Sequence, residues 1–333
     1  MKREAVQTSL QHKSPGYCVW QVNSTKPMAE KLQAHIGDQD LDEYLGNHMA
    51  FFRIMGEFKD LGSGRFMDQF GVVWNKSVDP DIGAVEGTVI GEHSDLKTTV
   101  FPDPDDPAKY RHVSEFVTSG KDRFLVSGPR HSLFERAWMM RGMEDLLVDM
   151  IECTEFVDEL LDKIVAYDLG VIRNLHEFPI DAVWFGDDYG QQHGLIMGSK
   201  LWRRFIKPRL QILCSEAKRK AGVSVILHSC GDVTEIFDDL IEVGVDVFNP
   251  LQPEAMDIFD VAARYGDRLS FYGGISIQNV LPFGNPSEVR SHVEQAIQGI
   301  GRNGGYICSP AHDMPADIPV ENIEAMLDVL KGQ

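Results

Sequence analysis

A chain of 333 residues with 32 Lys+Arg against 51 Asp+Glu carries a formal net charge of -19, which repels nucleic acid and anionic lipid over most of its surface. Hydrophobic residues make up 43% and charged residues 25%, the balance of a soluble globular protein with material for a large core, so disordered and fibrous classes are excluded. The opening MKREAVQTSLQHKSPGY lacks the apolar centre of a signal peptide and no apolar run of membrane-spanning length follows, so a cytoplasmic chain without membrane contact is expected.

Five cysteines, an odd and sparse set, argue for reduced thiols rather than a disulfide framework. In chain order, residues 1–120 form an irregular layer: an acidic helical stretch near Asp38–Phe58, a hairpin-like Phe66–Trp74, then the Pro- and Asp-rich FPDPDDPAKY. Two further strands have room here. From about Lys121 to residue 333, short apolar runs alternate with long amphipathic helices, the pattern of a parallel sheet covered by helices. The strand candidates are Arg123–Ser127, Asp181–Phe185, Val223–Leu227, Val245–Phe248, Leu269–Tyr272 and Gly305–Ile307. Helical faces run through Thr154–Phe178 and Thr234–Val243, and Ser199–Lys220 carries Pro208, where a kink or break is expected. The reading is α/β, a single (β/α)8 barrel domain over residues 1–333 with an irregular amino-terminal layer; an open six-stranded sheet is the alternative.

The most informative stretch is Val223–Gly231, VSVILHSCG. His228 and Cys230 are two apart, and residues i and i+2 of a strand point to one side, so a single metal could take both. Cys308, after the apolar Gly305–Ile307, is the third candidate. One imidazole and two thiolates make a zinc site with one position open, the arrangement of catalytic rather than structural zinc. The same pair also suits a packed histidine and a buried small thiol. In parallel α/β folds function sits at the carboxyl edge of the strands, and the other candidates fall there. Asp187 and Asp188 are either a helix cap or solvated turn, or a fourth metal ligand. His193 and His312 are substrate or supporting groups, or ordinary surface. Trp184, Tyr189, Asn249 and Tyr272 line a pocket for a ring, or are core. Cys18, Cys153 and Cys214 lack partner spacing. Gly273-Gly274 and the glycines of Gly301–Gly305 fit no phosphate loop, and no GxSxG elbow occurs.

At these residues the chain resembles the uroporphyrinogen decarboxylase superfamily, which includes the cobamide-dependent methyltransferases. The similar stretches are GDDYGQQHGLIMGSKLWRRFIKPRL at Gly186–Leu210, VILHSCGDVTEIFDDLIEVGVDVFNPLQP at Val225–Pro253, FYGGIS at Phe271–Ser276 and GGYICSPAHDMPADIPVENIEAM at Gly304–Met326. The resemblance implies a (β/α)8 TIM barrel with an additional amino-terminal helical segment, and its methyltransferase branch implies zinc on His228, Cys230 and Cys308 with an acidic residue nearby. The methylthiol-forming enzymes of that branch carry Glu-Pro where this chain has Asp187-Asp188. The decarboxylases carry an Arg-rich amino-terminal motif to clamp acidic side chains, whereas VWQVNSTKP at Val19–Pro27 has no arginine. The implied activity is a zinc-dependent methyltransferase that moves methyl from a methoxylated, aromatic compound to a corrinoid, with Asp187, Asp188 and His312 as catalytic groups. No DxHxxG cobalamin signature is present, so the corrinoid comes on a separate partner protein. The alternatives are transfer from a methyl-corrinoid protein to a thiol or folate, a decarboxylase-type lyase, and a non-catalytic binding protein.

Overall fold

A computed structural model of the chain describes residues 1–77 and 83–333. Its centre is a sheet of eight parallel strands: β1 Val19–Trp20, β2 Met49–Ile54, β3 Phe124–Pro129, β4 Ala182–Gly186, β5 Ser224–His228, β6 Val247–Leu251, β7 Ser270–Ile275 and β8 Tyr306–Pro310. The spatial order is β1-β8-β7-β6-β5-β4-β3-β2. Every residue of β3, β4, β6, β7 and β8 is buried, as strands covered on both faces must be.

The sheet curls until β1 and β2 meet, and side chains close most of the seam. Asn47 accepts from the Val22 N–H and donates to its carbonyl, the Met49 N–H donates to Gln21 Oε1, and the His48 N–H donates to the Trp20 carbonyl at 3.3 Å. Inside the curl, Val19, Met49, Phe124, Ala182, Ile226, Val247 and Ile307 form one apolar column, floored by Ala5 and Val6 of the helix Lys2–Leu10. The larger core lies between sheet and helices. Among the described residues no helix is long and apolar enough to cross a membrane.

All six anticipated strands exist, displaced one to three residues toward the carboxyl end. The two strands expected within residues 1–120 are β1 and β2. The acidic stretch Asp38–Phe58 is not one helix. Asp40 caps a helix of only five residues, Leu41–Leu45, Gly46 ends it at φ 70, and the apolar MAFFRI that follows pairs with β3. Phe66–Trp74 is a hairpin of Arg65–Met67 with Val73–Asn75, set in a four-stranded antiparallel sheet that also uses Lys59–Gly62 and Ala84–Glu86. Pro208 splits its segment into Gly198–Phe205 and Lys207–Ala217, because its ring cannot follow an unbroken helical ladder. Thr154–Leu175 is a single helix, and Thr234–Val243 opens with a short 3-10 turn before Phe237–Val243.

Candidate metal centre and its cavity

Since all eight strands run the same way, their carboxyl ends meet on one rim. A cavity of about 580 Å³ opens there, lined from below by Trp184, Asp188, His228, Asn249, Tyr272 and His312 and from the sides by Arg53, Arg130, His131, Glu135 and Trp138.

His228 ends β5 with its ring held on three sides. It stacks on Trp184 at 5.4 Å between centroids and meets the His312 ring edge-on at 5.8 Å. Its Nδ1 lies 2.6 Å from Asn249 Oδ1, and Asn249 Nδ2 donates to the Tyr272 carbonyl at 3.0 Å. That second bond fixes which amide atom faces the ring, so Nδ1 carries the hydrogen and Nε2 keeps its lone pair. The lone pair faces Cys230 Sγ at 3.5 Å and Asp188 Oδ1 at 3.6 Å. Donor atoms of His228, Cys230 and His312 all lie within 4.8 Å of one another.

The spacings from His228 Nε2 to Cys230 and Asp188 fit a tetrahedral ion. Bonds of about 2.0–2.3 Å put neighbouring ligands roughly 3.3–3.8 Å apart, the separations found at His228 Nε2. Electrostatics agree. Burial, then the carboxylates of Asp188 and Glu135, push the Cys230 thiol well above its ordinary range, and burial with the Asp188 charge raises Glu135 to about 8. A crowd of acids and a thiol that suppress each other's ionisation is relieved by a cation.

The loop that presents Cys230 is held by backbone contacts. The Cys230 N–H donates to Asp188 Oδ1 at 2.7 Å, and Gly231, at φ 83, lies against Gly190 so closely that a Cβ on either would run into the other's backbone.

Cys308 does not join the centre. It lies inside β8 rather than after it, and alternation decides its side: Ile307 faces the interior column, so Cys308 faces the helices, beside Cys18 and Tyr306. There burial raises its thiol to about 12. His312, beyond the strand end, takes the third place.

Asp187 and Asp188 part company for the same reason. Asp188 lines the cavity, whereas Asp187 is buried on the helix side and accepts from the Phe134 and Glu135 N–H groups at 3.1 and 2.7 Å. It satisfies the open amino end of the helix Leu133–Arg141 and is not placed to touch a substrate. Tyr189 is fully buried, donating to Asp187 Oδ2 at 2.7 Å and packing on Trp202. His193 is exposed on the two-stranded turn Gly190–Gln191 and Gly194–Leu195, outside the cavity lining. Trp184, Asn249 and Tyr272 are in the cavity, and Tyr272 accepts from Asn23 Nδ2 at 3.1 Å. All five cysteines are free.

Several cavity residues went unread in the sequence, among them Arg53, Arg130, His131, Glu135, Trp138 and Asp313. Their signal was the rule applied elsewhere, that chemistry follows a strand's carboxyl end. Arg130-His131 follows β3, and Arg53 was concealed in an expected helix. The wall therefore does carry arginine, although not in Val19–Pro27.

Residues 76–333 match the profile described as uroporphyrinogen decarboxylase. The chain belongs to the uroporphyrinogen decarboxylase family. Among family relatives, a uroporphyrinogen decarboxylase of Magnetococcus marinus is 22% identical over 257 residues, 72% of this chain and 68% of its own. A methylated-thiol–coenzyme M methyltransferase of Methanosarcina mazei is 23% identical over 203 residues, 60% of this chain and 50% of its own, so the match spans half of that relative. A solved methyltransferase from Methanosarcina mazei shares the fold, with a TM-score of 0.75 at 16% identity over 99% of this chain and 98% of that one.

Proposed function

We propose that this family member is a zinc-dependent methyltransferase that takes methyl from a methoxylated, aromatic compound and passes it to a corrinoid carried by a separate protein. The observation that carries the reading is the convergence of His228, Cys230 and His312 at the floor of a cavity large enough for a small ring compound. The likeness to a methylated-thiol–coenzyme M methyltransferase supports methyl transfer as the reaction class.

Zinc on these three residues would act as a Lewis acid toward the oxygen that leaves with the substrate's ring. Two neutral imidazoles and one thiolate leave such an ion net positive, which suits an ether oxygen better than a two-thiolate set would. Asn249 holds the His228 ring with Nε2 free, Trp184 and Tyr272 offer faces to a ring, and Asp188 stands beside His228 Nε2 to fill or vacate a ligand position. The curled sheet closes the floor, so the corrinoid protein must approach across the open rim.

The relative's thiol substrate favours a second reading, in which the donor or acceptor atom is sulfur. Decarboxylation of an octacarboxylate fits less well, because the cavity lining includes only Arg53 and Arg130 as strong cations among the described residues.

The test is metal analysis of purified protein, followed by anaerobic incubation with reduced free cobalamin and methoxybenzoates in one arm, methylthiols in the other. Stoichiometric zinc with methyl-cobalt formed from the ether arm is expected. Methyl-cobalt from thioethers alone shifts the reading to sulfur, and zinc-free protein or absence of transfer in both arms overturns it.

A further inference from the structure

Arg53 comes from β2, on the side of the cavity served by the irregular half of the chain, and its surroundings do not account for its charge. Its guanidinium is stacked 4.1 Å over the Trp184 ring and 5.0 Å from Phe51, which hold its plane. Nη1 is shut off from solvent and has no hydrogen-bond partner. Among the described residues no carboxylate lies within ion-pair distance of Arg53 or of Arg130, the other arginine on this wall. Asp313 on the rim acts on both from beyond contact, and Glu135 acts on Arg130 in the same way. In a chain with a net charge of -19, leaving two arginines unpaired in one cavity is costly. An unsatisfied buried donor forfeits about 1–3 kcal/mol and a charged one more; Nη1 itself is out of reach of an entering group, so an anion can offset the cost only through its charge against the rest of the guanidinium.

We propose that the substrate carries a carboxylate, seated on the Arg53 guanidinium with help from Arg130, while its methyl-bearing atom faces His228 and Cys230. The inference deepens the methyl-transfer reading and rests on it for the chemistry at the far end. Trp184 touches both poles, stacked against Arg53 and against His228, so anchor and reaction centre adjoin the same indole. A planar guanidinium fixed by stacking presents two parallel N–H groups, the geometry that takes a carboxylate bidentately. Small methoxylated aromatic acids carry that charge at one end of a ring and the ether at the other.

Calorimetric titration of the protein as purified compares 4-methoxybenzoate with 4-methoxybenzamide, equal in shape and different in charge. The acid should bind about tenfold to a hundredfold tighter, the worth of a charged hydrogen bond. Arg53→Gln should abolish that preference with the circular dichroism spectrum unchanged, and Arg53→Lys should keep part of it. Should Arg53→Gln fail to fold, Arg130→Gln must reduce the preference. Equal affinity for the two probes, binding of neither, or a preference untouched in the variants overturns the proposal. A charge preference without methyl transfer sinks the proposed reaction and leaves the anchor standing; methyl transfer without the preference does the reverse.

Discussion

His228 does more for this site than its own donor atom, because its three neighbours settle tautomer, tilt and distance together. Asn249 is the least replaceable of them. Asn249→Ala frees the ring to rotate and to place its hydrogen on Nε2, so metal affinity should fall about 10–100-fold, read by competition with a zinc chelator; unchanged affinity would remove Asn249 from its positioning role. A paired substitution separates the two cysteines that sequence spacing joined. Cys230→Ser should lose stoichiometric metal, whereas Cys308→Ser should retain it, since that thiol lies on the helix side of β8. Metal lost from both variants would mean that β8 turns its faces the other way. The pair His228 and Cys230 was readable from its spacing, although β5 ends at His228 and Cys230 is placed by the loop held on Asp188 and Gly190 rather than by strand alternation. Cys308 was misread by parity alone: ending its strand three residues early made an interior strand position look like a loop. Arg53 lay in a stretch whose acidic neighbours suggested a helix, and nothing local marked it as cavity lining.

At the level of elements, strands are legible where helices separate them and obscure where they are short. From Lys121 onward the alternation of apolar runs with amphipathic helices reports real βα units, since a parallel strand buried on both faces is a continuous apolar run. β1, two residues long, has no pattern to read and exists because β8 pairs with it and the Gln21 and Asn47 side chains tie the residues just after it to the start of β2. That seam carries a pH dependence. His48 Nδ1 donates to the Trp20 carbonyl and Nε2 accepts from the Tyr17 hydroxyl, so the ring is neutral, and burial followed by the charge of Lys2 lowers its pKa to about 4. A base depressed in the folded state contributes stability that is full above the unfolded value of about 6.5 and is lost as pH falls toward 4. The thermal midpoint should therefore decline between about pH 6.5 and 4, and His48→Gln should flatten the decline. An equal slope in the variant would place the acid sensitivity elsewhere. Gly231→Ala acts through a second connection: its Cβ would press on Gly190, pushing Cys230 off its place. It should weaken metal binding more than it lowers the melting temperature.

Across the whole molecule, the irregular first third and the regular remainder share one core rather than forming neighbours. The helix Lys2–Leu10 floors the interior column, the Arg3 guanidinium bonds Asp181 at the start of β4, and the final Gln333 side chain pairs with the backbone of Cys18 before β1. Elements so interlocked have no separable stability, so calorimetry should record one transition covering both parts. The candidate metal centre draws on the end of β5, the loop after it and the segment after β8, joined only through the folded sheet, so an ion that binds there binds the native state. Zinc at about a hundredfold excess over its dissociation constant should stabilise the fold by about 2.7 kcal/mol, seen as a rise in that single midpoint. The rise should vanish in Cys230→Ser and persist in Cys308→Ser. Two resolved transitions, or a zinc-induced rise that survives Cys230→Ser, would place either the domain boundary or the ion somewhere other than the mouth of this sheet.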